Sequence, residues 1–215
     1  MSRRGPWPVR ALARRFPDVL FAVPTARPAV ALTLDDGPDP EVTPGILDVL
    51  AAAGARATLF MLGEAALAHG PVVDRAVAEG HELGNHGWRD RPTRRLPLPA
   101  FVDDLRRTHA VLSAHAPVSL MRPGSGLIRR DQREALPGLG YRCVLGSAYL
   151  PDAQLPQGPR LAGALAGLAA PGAIVILHEG AGRIGAPAMV AALLARLAAR
   201  GLAATTVGDL LRRDA

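Results

Sequence analysis

Short apolar runs and longer segments of helical spacing alternate along this chain. The short runs predict β-strands at 29–34, 58–62, 143–145, 173–177 and 202–207. Apolar positions spaced by three and four residues predict helices over 40–53, 65–78, 101–114, 161–170 and 188–199. Strands that alternate with helices of this length are typical of a parallel sheet or barrel with crossover helices. The pattern therefore predicts an α/β fold.

The composition is that of one globular domain with its own core. The chain has 215 residues, of which 49% are apolar and 20% are charged. The single cysteine, Cys143, excludes a disulfide framework, and its place in an apolar run predicts a buried, unreactive thiol. An aromatic content of 4% disfavours a platform for stacking nucleic-acid bases, and no apolar run approaches the length of a membrane span.

The formal net charge of +6 belongs to the amino-terminal tail. All 25 basic residues are arginine, and five of them lie in the first 17 positions, which hold no acid. Beyond them the arginines and the 19 acids nearly cancel, which argues against a nucleic-acid-binding face. The tail also lacks the apolar core of a secretory signal, because the run at 19–23 is too short. We therefore expect a cytoplasmic protein with a basic tail and lead-in segment over 1–27.

Two adjacent aspartates follow the first long strand. Asp35 and Asp36 precede Gly37-Pro38, a pair that forces a turn. Neighbouring strand residues point to opposite faces, but a strand end can turn both into one cavity, where a cation relieves their repulsion. The alternative interpretation is a turn with a helix cap supplied by Asp39 and Thr43.

A histidine and an aspartate follow the next strand region with the spacing of metal ligands. His86 and Asp90 are four residues apart, so on one helical turn they face the same side. His81 lies in an extended segment, faces the other way and is interpreted as structural. A hydrogen-bonded loop histidine is the alternative for His86.

Two further strand ends carry polar groups. His178 follows the buried run at 173–177, a position that suits a general acid or base. Arg122 precedes the turn 124–126, whose backbone N–H groups could hold an oxyanion; a surface charge and an ordinary turn are the alternatives. Chemistry in parallel α/β folds sits at the carboxyl ends of strands. The combined set therefore predicts metal-assisted hydrolysis.

These motifs, in this order, resemble those of the polysaccharide deacetylases, the NodB-homology domain of carbohydrate esterase family 4. The similarity extends from about residue 28 to residue 211, through five motifs at 33–38, 85–90, 122–126, 149–153 and 177–178. It implies a distorted (β/α) barrel of about seven parallel strands. It also implies one catalytic domain over 28–215.

The resemblance assigns a role to each motif residue. The implied roles are catalytic base for Asp35, metal ligand for Asp36, His86 and Asp90, support of the base for Arg122, partner of that arginine for Asp152, oxyanion binding for Gly124 and Ser125, acetyl-pocket lining for Leu177 and general acid for His178. The family's second ligand histidine is Asp90 here, and a carboxylate is a competent ligand that favours harder metals. The implied cofactor is one divalent cation, zinc first, with Co, Mn, Ni or Fe as alternatives.

The function implied is hydrolysis of an acetyl group, foremost the N-acetyl group, of an aminosugar oligo- or polysaccharide by metal-activated water. Three alternatives remain. They are a deacylase of a small cytosolic metabolite, a non-catalytic carbohydrate-binding module suggested by Asp90, and an arginine-rich adaptor acting through Arg89, Arg91, Arg94 and Arg95. Retention of both Asp35 and His178 favours catalysis, because a binding module needs neither.

Overall fold

The computed structural model describes residues 7–152 and 158–212, so Ala153, the last residue of the fourth motif, lies outside the described residues. The strands are β1 (Val19–Leu20), β2 (Ala29–Gly37), β3 (Thr58–Met61), β4 (Glu82–Asn85), β5 (Leu120–Met121), β6 (Arg142–Val144), β7 (Ile174–His178) and β8 (Ala203–Thr205). The α-helices are α1 (Trp7–Arg15), α2 (Thr43–Ala52), α3 (Gly63–Ala68), α4 (Gly70–Ala78), α5 (Leu98–Leu112), α6 (Arg130–Ala135), α7 (Pro159–Leu168), α8 (Ala186–Ala199) and α9 (Val207–Leu211). Single 3₁₀ turns lie at Thr93–Arg95, Gly124–Gly126 and Pro137–Leu139.

The strands form one parallel sheet in the order β1-β6-β5-β4-β3-β2-β7, with β8 beside β2. The sheet is a curled half-barrel of seven strands, with β1 and β7 at the two ends of the path. Isolated bridges join Ala148 to Val175 and Ala22 to Ala173, which brings the two ends towards each other. The predicted α/β fold with about seven parallel strands is confirmed.

Several predicted element bounds differ from the structure. The helix expected over 65–78 is two helices, because the chain breaks at His69 and a new helix begins at Gly70, with Pro71 in its first turn. The sheet begins at β1, ahead of the predicted domain start at residue 28, and α1 lies within the predicted tail. The assignment of 28–215 as the catalytic domain stays a prediction. No helix in the described ranges has the length and apolar character that a membrane crossing requires.

The side chains of β2 pack alternately on the two faces of the sheet. Val30, Leu32 and Leu34 belong to a core that includes apolar residues of α2 and α8. Ala29 and Ala31 belong to a second cluster on the opposite face. Because side chains alternate along a strand, Thr33 and Asp35 lie on the face of Ala29 and Ala31. The strand therefore changes from apolar to polar towards its carboxyl end on one face only, and this places the candidate site.

Candidate active site

The side chains of Asp35 and Asp36 both reach the candidate site because β2 is irregular at its carboxyl end. The register of β2 against β3 shifts between Asp35 and Gly37, and Asp36 has a φ of 74°. A bulge with a left-handed residue redirects the side chain that ordinary alternation would send to the other face. As a result, Asp36 Oδ1 lies 3.4 Å from His86 Nε2 while Asp35 Oδ1 meets Arg122. The turn that the sequence analysis expected for both carboxylates is present.

A buried arginine, Arg122, fixes the orientation of the Asp35 carboxylate. Its Nη1 donates to Asp35 Oδ1 at 2.6 Å and to Thr33 Oγ1 at 2.7 Å, and only 2% of the residue is exposed. The other guanidinium nitrogens donate to the carbonyls of Val144 and Leu145, and the guanidinium lies over the Phe60 ring. A buried carboxylate with a charged, directional partner has one orientation rather than several. The predicted support of Asp35 by Arg122 is thus present in the structure.

Asp152 pairs with His178, and its predicted pairing with Arg122 was wrong. One carboxylate oxygen accepts from the His178 ring Nδ1 at 2.7 Å, and the other accepts from the His178 backbone N–H at 2.9 Å. The donors of Arg122 already have Asp35, Thr33 and two carbonyls as partners. The physical reason is position: Asp152 faces the end of β7, where the histidine backbone also offers a donor.

His178 stands directly opposite Asp35. The two are register partners on β7 and β2, and paired residues of adjacent parallel strands project on the same face. Burial opposes the charged imidazolium, but the Asp152 hydrogen bond and the surrounding aspartates outweigh burial and raise the pKa of His178. The Tyr149 ring contacts the imidazole edge-on, at 6.3 Å between centroids. A base candidate and a proton donor candidate therefore share one face.

The pair of Asp36 and His86 fits a divalent cation. His86 Nδ1 lies 2.9 Å from the carbonyl oxygen of Arg122, which only accepts, so Nδ1 carries the hydrogen. Nε2 then faces the Asp36 carboxylate, an arrangement of two acceptors that requires a proton or a metal between them. Burial disfavours charge on His86, yet Asp35 and Asp36 raise the pKa of His86 overall. A metal would take the place of that proton.

Asp90, the third predicted ligand, is not brought to this pair. The residue is exposed, and no group of three His, Cys, Asp or Glu side chains suited to a metal is found within 7–152 and 158–212. Its neighbour Arg91 is held by Asp104, which also accepts from the Trp88 backbone N–H at 2.8 Å. Helical spacing does not apply here, because the segment after β4 is a loop. The ligand role of Asp90 stays a sequence-based prediction.

The predicted oxyanion donors differ in availability. The Gly124 N–H donates to Thr93 Oγ1 at 2.8 Å, so its predicted role as an oxyanion donor was wrong. Ser125 is exposed, has a φ of 62° and uses its N–H in no hydrogen bond to the described residues. An unused backbone donor in a strained turn is a usual source of an oxyanion contact. Ser125 is therefore the donor that the turn leaves available.

Leu177 does not line the site as predicted. It pairs with Leu34 and belongs to the core packed against α2 and α8, with 2% of its surface exposed. Strand alternation puts Ile176 on the face of His178, and Ile176 is partly accessible. The apolar residue beside the general acid candidate is therefore two positions before it in the sequence, rather than one.

Two residues interpreted as structural are confirmed in that interpretation. The His81 ring is buried, and its Nδ1 accepts from the Ala57 backbone N–H at 3.1 Å. Cys143 is buried in β6, and burial raises the pKa of its thiol to about 12. Neither side chain takes part in the candidate site.

Asn85 holds the loop that carries His86, and it is not among the site residues predicted from the sequence. Asn85 donates to the Leu105 carbonyl and the Tyr141 hydroxyl, both at 3.0 Å, and accepts from the Gly87 N–H at 2.9 Å. Asn85 is fully buried, so it fixes the turn that carries His86. The feature of the sequence that could have indicated this role of Asn85 is its place beside His86 at a strand end.

Glu179 is a buried carboxyl behind the aspartates. Its Oε2 accepts from Thr43 Oγ1 at 2.7 Å, and its Oε1 has no partner within the described ranges. A side chain on Gly37 would collide with this carboxyl, which explains the glycine. Burial, aided by the nearby aspartates, raises the pKa of Glu179 to about 7. The carboxyl is therefore neutral at mildly acidic pH.

Glu179→Gln is expected to change how stability depends on pH in metal-free protein. The native pKa of about 7 exceeds the ordinary 4.5, so this carboxyl stabilises fully below about pH 4.5 and that contribution is lost as pH rises through 7. Glutamine cannot ionise and keeps an oxygen for Thr43. Chemical unfolding should show the variant about 3 kcal/mol more stable than wild type at pH 8, and similar at pH 5.

Glu134→Gln is the matched control, because Glu134 is exposed and forms a surface ion pair with exposed Arg130. Its stability should follow wild type at both pH values. Parallel curves for Glu179→Gln and wild type would show that Glu179 does not change its protonation between these pH values.

The comparisons with known proteins agree on one family. A family model described as polysaccharide deacetylase matches residues 22–144. A peptidoglycan-N-acetylglucosamine deacetylase of Bacillus cereus is 31% identical over 90% of this chain and 93% of the relative. A chitooligosaccharide deacetylase of Bradyrhizobium sp. is 34% identical over 80% of this chain and 78% of the relative.

Solved structures show the same fold. A crystal structure of a peptidoglycan N-acetylglucosamine deacetylase superposes with a TM-score of 0.85, at 27% identity over 92% of this chain and 94% of the other. A carbohydrate esterase family 4 pseudoenzyme of Bacillus anthracis superposes with a TM-score of 0.82, at 21% identity over 90% of this chain and 69% of the other. At that identity the second likeness shows the fold alone.

Proposed function

This chain belongs to the polysaccharide deacetylase family, and we propose that it removes N-acetyl groups from N-acetylglucosamine polymers such as peptidoglycan or chitooligosaccharides. The observation that carries the proposal is the register pairing of Asp35 with His178. Each has its own buried partner, Arg122 for Asp35 and Asp152 for His178. Amide hydrolysis needs such a pair, a base for the incoming water and an acid for the departing amine.

The residues divide the reaction between them. Asp35 accepts a proton from the water that attacks the acetyl carbon, and Arg122 keeps its carboxylate in one orientation. The Ser125 N–H donates to the oxyanion that forms. His178, held through Nδ1 by Asp152, protonates the amine as the C–N bond breaks, so the products are acetate and a free amino sugar.

The family is typically metal-dependent, and we propose that Asp36 and His86 hold a divalent cation, zinc first. When bound, such a cation polarises the carbonyl and makes water more acidic. Asp90 is the third ligand predicted from the sequence. The raised pKa of His178 keeps the imidazolium available at higher pH than an ordinary histidine, because Asp152 and the site aspartates favour its charged form.

Acetate release tests the proposed function. Chitooligosaccharides and peptidoglycan fragments are incubated with the protein, and acetate and free amine are measured together. Equal amounts of both are expected, since amide hydrolysis produces one of each. Activity should fall to background after chelator treatment and return when a divalent metal is added. Absence of acetate from every N-acetylglucosamine polymer, with folded and metal-supplied protein, would refute the proposal.

Single acetylated sugars in the same assay test the second candidate, a deacylase of small cytosolic metabolites. Faster release from monomers than from oligomers would favour that candidate. The cytoplasmic location predicted from the amino-terminal tail stays a prediction.

A further inference from the structure

The bulge that directs Asp36 towards His86 is packed against a neighbouring strand end. Asp36 has a left-handed φ of 74°, and its Oδ1 lies 3.4 Å from His86 Nε2. A residue other than glycine keeps a left-handed conformation where the surrounding structure fixes it. The two residues that follow β7, Glu179 and Gly180, provide such surroundings here.

Glu179 and Gly180 contact the chain at Asp36 and on both sides of it. The Glu179 N–H donates to the Asp35 carbonyl at 2.8 Å, and the Glu179 carboxyl lies so close to Gly37 that any side chain there would collide with it. Gly180 packs on Asp36 itself, where a side chain would meet the aspartate Cβ and carbonyl oxygen at 3.3 Å. The whole bulge is therefore packed against this segment.

One buried hydrogen bond fixes the Glu179 carboxyl. Thr43 Oγ1, at the start of α2, donates to Glu179 Oε2 at 2.7 Å and accepts from the Asp39 backbone N–H at 2.8 Å. Glu179 and Thr43 are both fully buried, and Glu179 Oε1 has no partner in the part of the chain that the structure describes. Because burial of an oxygen without a partner costs stability, what the carboxyl contributes here is its directional contact with Thr43.

We infer that Glu179 is a positioning residue for Asp36, and that its hydrogen bond with Thr43 holds the bulge in the conformation in which Asp36 faces His86. The inference rests on the proposed function, in which Asp36 and His86 hold a divalent cation. Loss of a group that orients a metal ligand commonly weakens metal binding about 10–100-fold. Since Glu179 is fully buried and touches no substrate, its effect should appear in the zinc affinity itself.

Thr43→Val tests the inference through the zinc dissociation constant, measured by competition with a chromophoric chelator. Valine has nearly the shape of threonine but cannot donate to Glu179, so zinc affinity should fall about tenfold or more. Thr43→Ser keeps the hydroxyl and should bind zinc as wild type does. Glu179→Met, similar in size but without an oxygen, should weaken zinc binding by a similar factor. Thr43→Val added to Glu179→Met should then cause no further loss, which separates the Glu179 contact from the Asp39 contact.

Thr58→Val is the matched control, because it breaks a comparable hydrogen bond away from the site. Thr58 is also fully buried, donates to Glu82 Oε2 at 2.6 Å and accepts from the Val207 N–H at 2.9 Å. Thr58 and Glu82 begin β3 and β4, whereas the site lies at the carboxyl ends of the strands. The Tm of Thr58→Val should fall, as that of Thr43→Val does, but its zinc affinity should equal that of wild type.

The inference and the proposed function can fail separately. Wild-type zinc affinity in Thr43→Val, an equal loss of affinity in Thr58→Val, or no zinc binding by wild type would overturn the inference. Weakened zinc binding in Thr43→Val alone would support it. If wild type then released no acetate from any N-acetylglucosamine polymer, the proposed function would be refuted while the positioning role stood.

Discussion

Asp35→Asn is expected to lower kcat by about 10²–10⁴-fold without loss of bound metal. Asp35 is 3% exposed, and its Oδ1 accepts from Arg122 at 2.6 Å. Asparagine keeps an oxygen for that contact but cannot take a proton from water at neutral pH. Because the buried guanidinium loses its counter-charge, the variant should also unfold at a lower temperature. The activity of the variant should therefore be measured at a temperature well below its Tm.

The control for this variant is Asp103→Asn, which removes one exposed carboxylate from α5. Its kcat should equal that of wild type. Circular dichroism and metal per chain are measured on all three proteins, so that lost turnover is not confused with lost structure. A wild-type rate in Asp35→Asn would show that another group accepts the proton.

His86→Ala is expected to abolish both metal retention and turnover. Wild type should retain about one divalent metal per chain after dialysis and zinc reconstitution, whereas the variant should retain none. His86 Nε2 is the nitrogen that faces Asp36, and its ring is held by the Arg122 carbonyl. A single remaining carboxylate at this position binds a divalent cation weakly. Elemental analysis gives the result independently of activity.

His115→Ala serves as the matched control, because His115 pairs with exposed Asp74 beyond the end of α5. Its metal content should equal that of wild type. Asp90→Asn in the same analysis decides the role of the exposed aspartate: loss of metal would support the sequence-based ligand, and full retention would remove it from the metal set. Metal bound normally by His86→Ala would contradict the site at Asp36.

The fold and the location of the site were predictable because both depend on local pattern. Alternating strands and helices allow few architectures, and a parallel sheet places the carboxyl ends of its strands at one edge. Asp35, His86, Arg122 and His178 each follow a strand in the sequence. Their meeting at one edge therefore required no knowledge of the distances between strands.

Three predicted roles, those of Asp152, Leu177 and Gly124, were wrong because they depend on how the chain folds and not on local pattern. Asp152 was assigned to Arg122 because the resemblance of 149–153 to the family's fourth motif implied that pairing, yet its carboxylate faces the ring and backbone of His178. Leu177 was placed in the pocket because it adjoins His178, although neighbouring strand residues face opposite ways. Gly124 was assigned as an oxyanion donor, but Thr93, 31 residues away, takes its N–H. Two of these errors concern a partner, and one concerns the face of a strand, and adjacency in the sequence reveals neither.

The fold class, the family resemblance and the chemical type of group at each strand end could be predicted from the sequence, because they follow from periodicity and from motifs of a few residues. The pairing of the charges, and the burial of the Glu179 carboxyl without a full set of partners, became visible only in the folded chain. Those outcomes depend on the register between β2 and β7 and on the bulge at Asp36. The register joins residues more than a hundred positions apart, and the bulge depends on how β2 pairs with β3, so no local pattern records either feature.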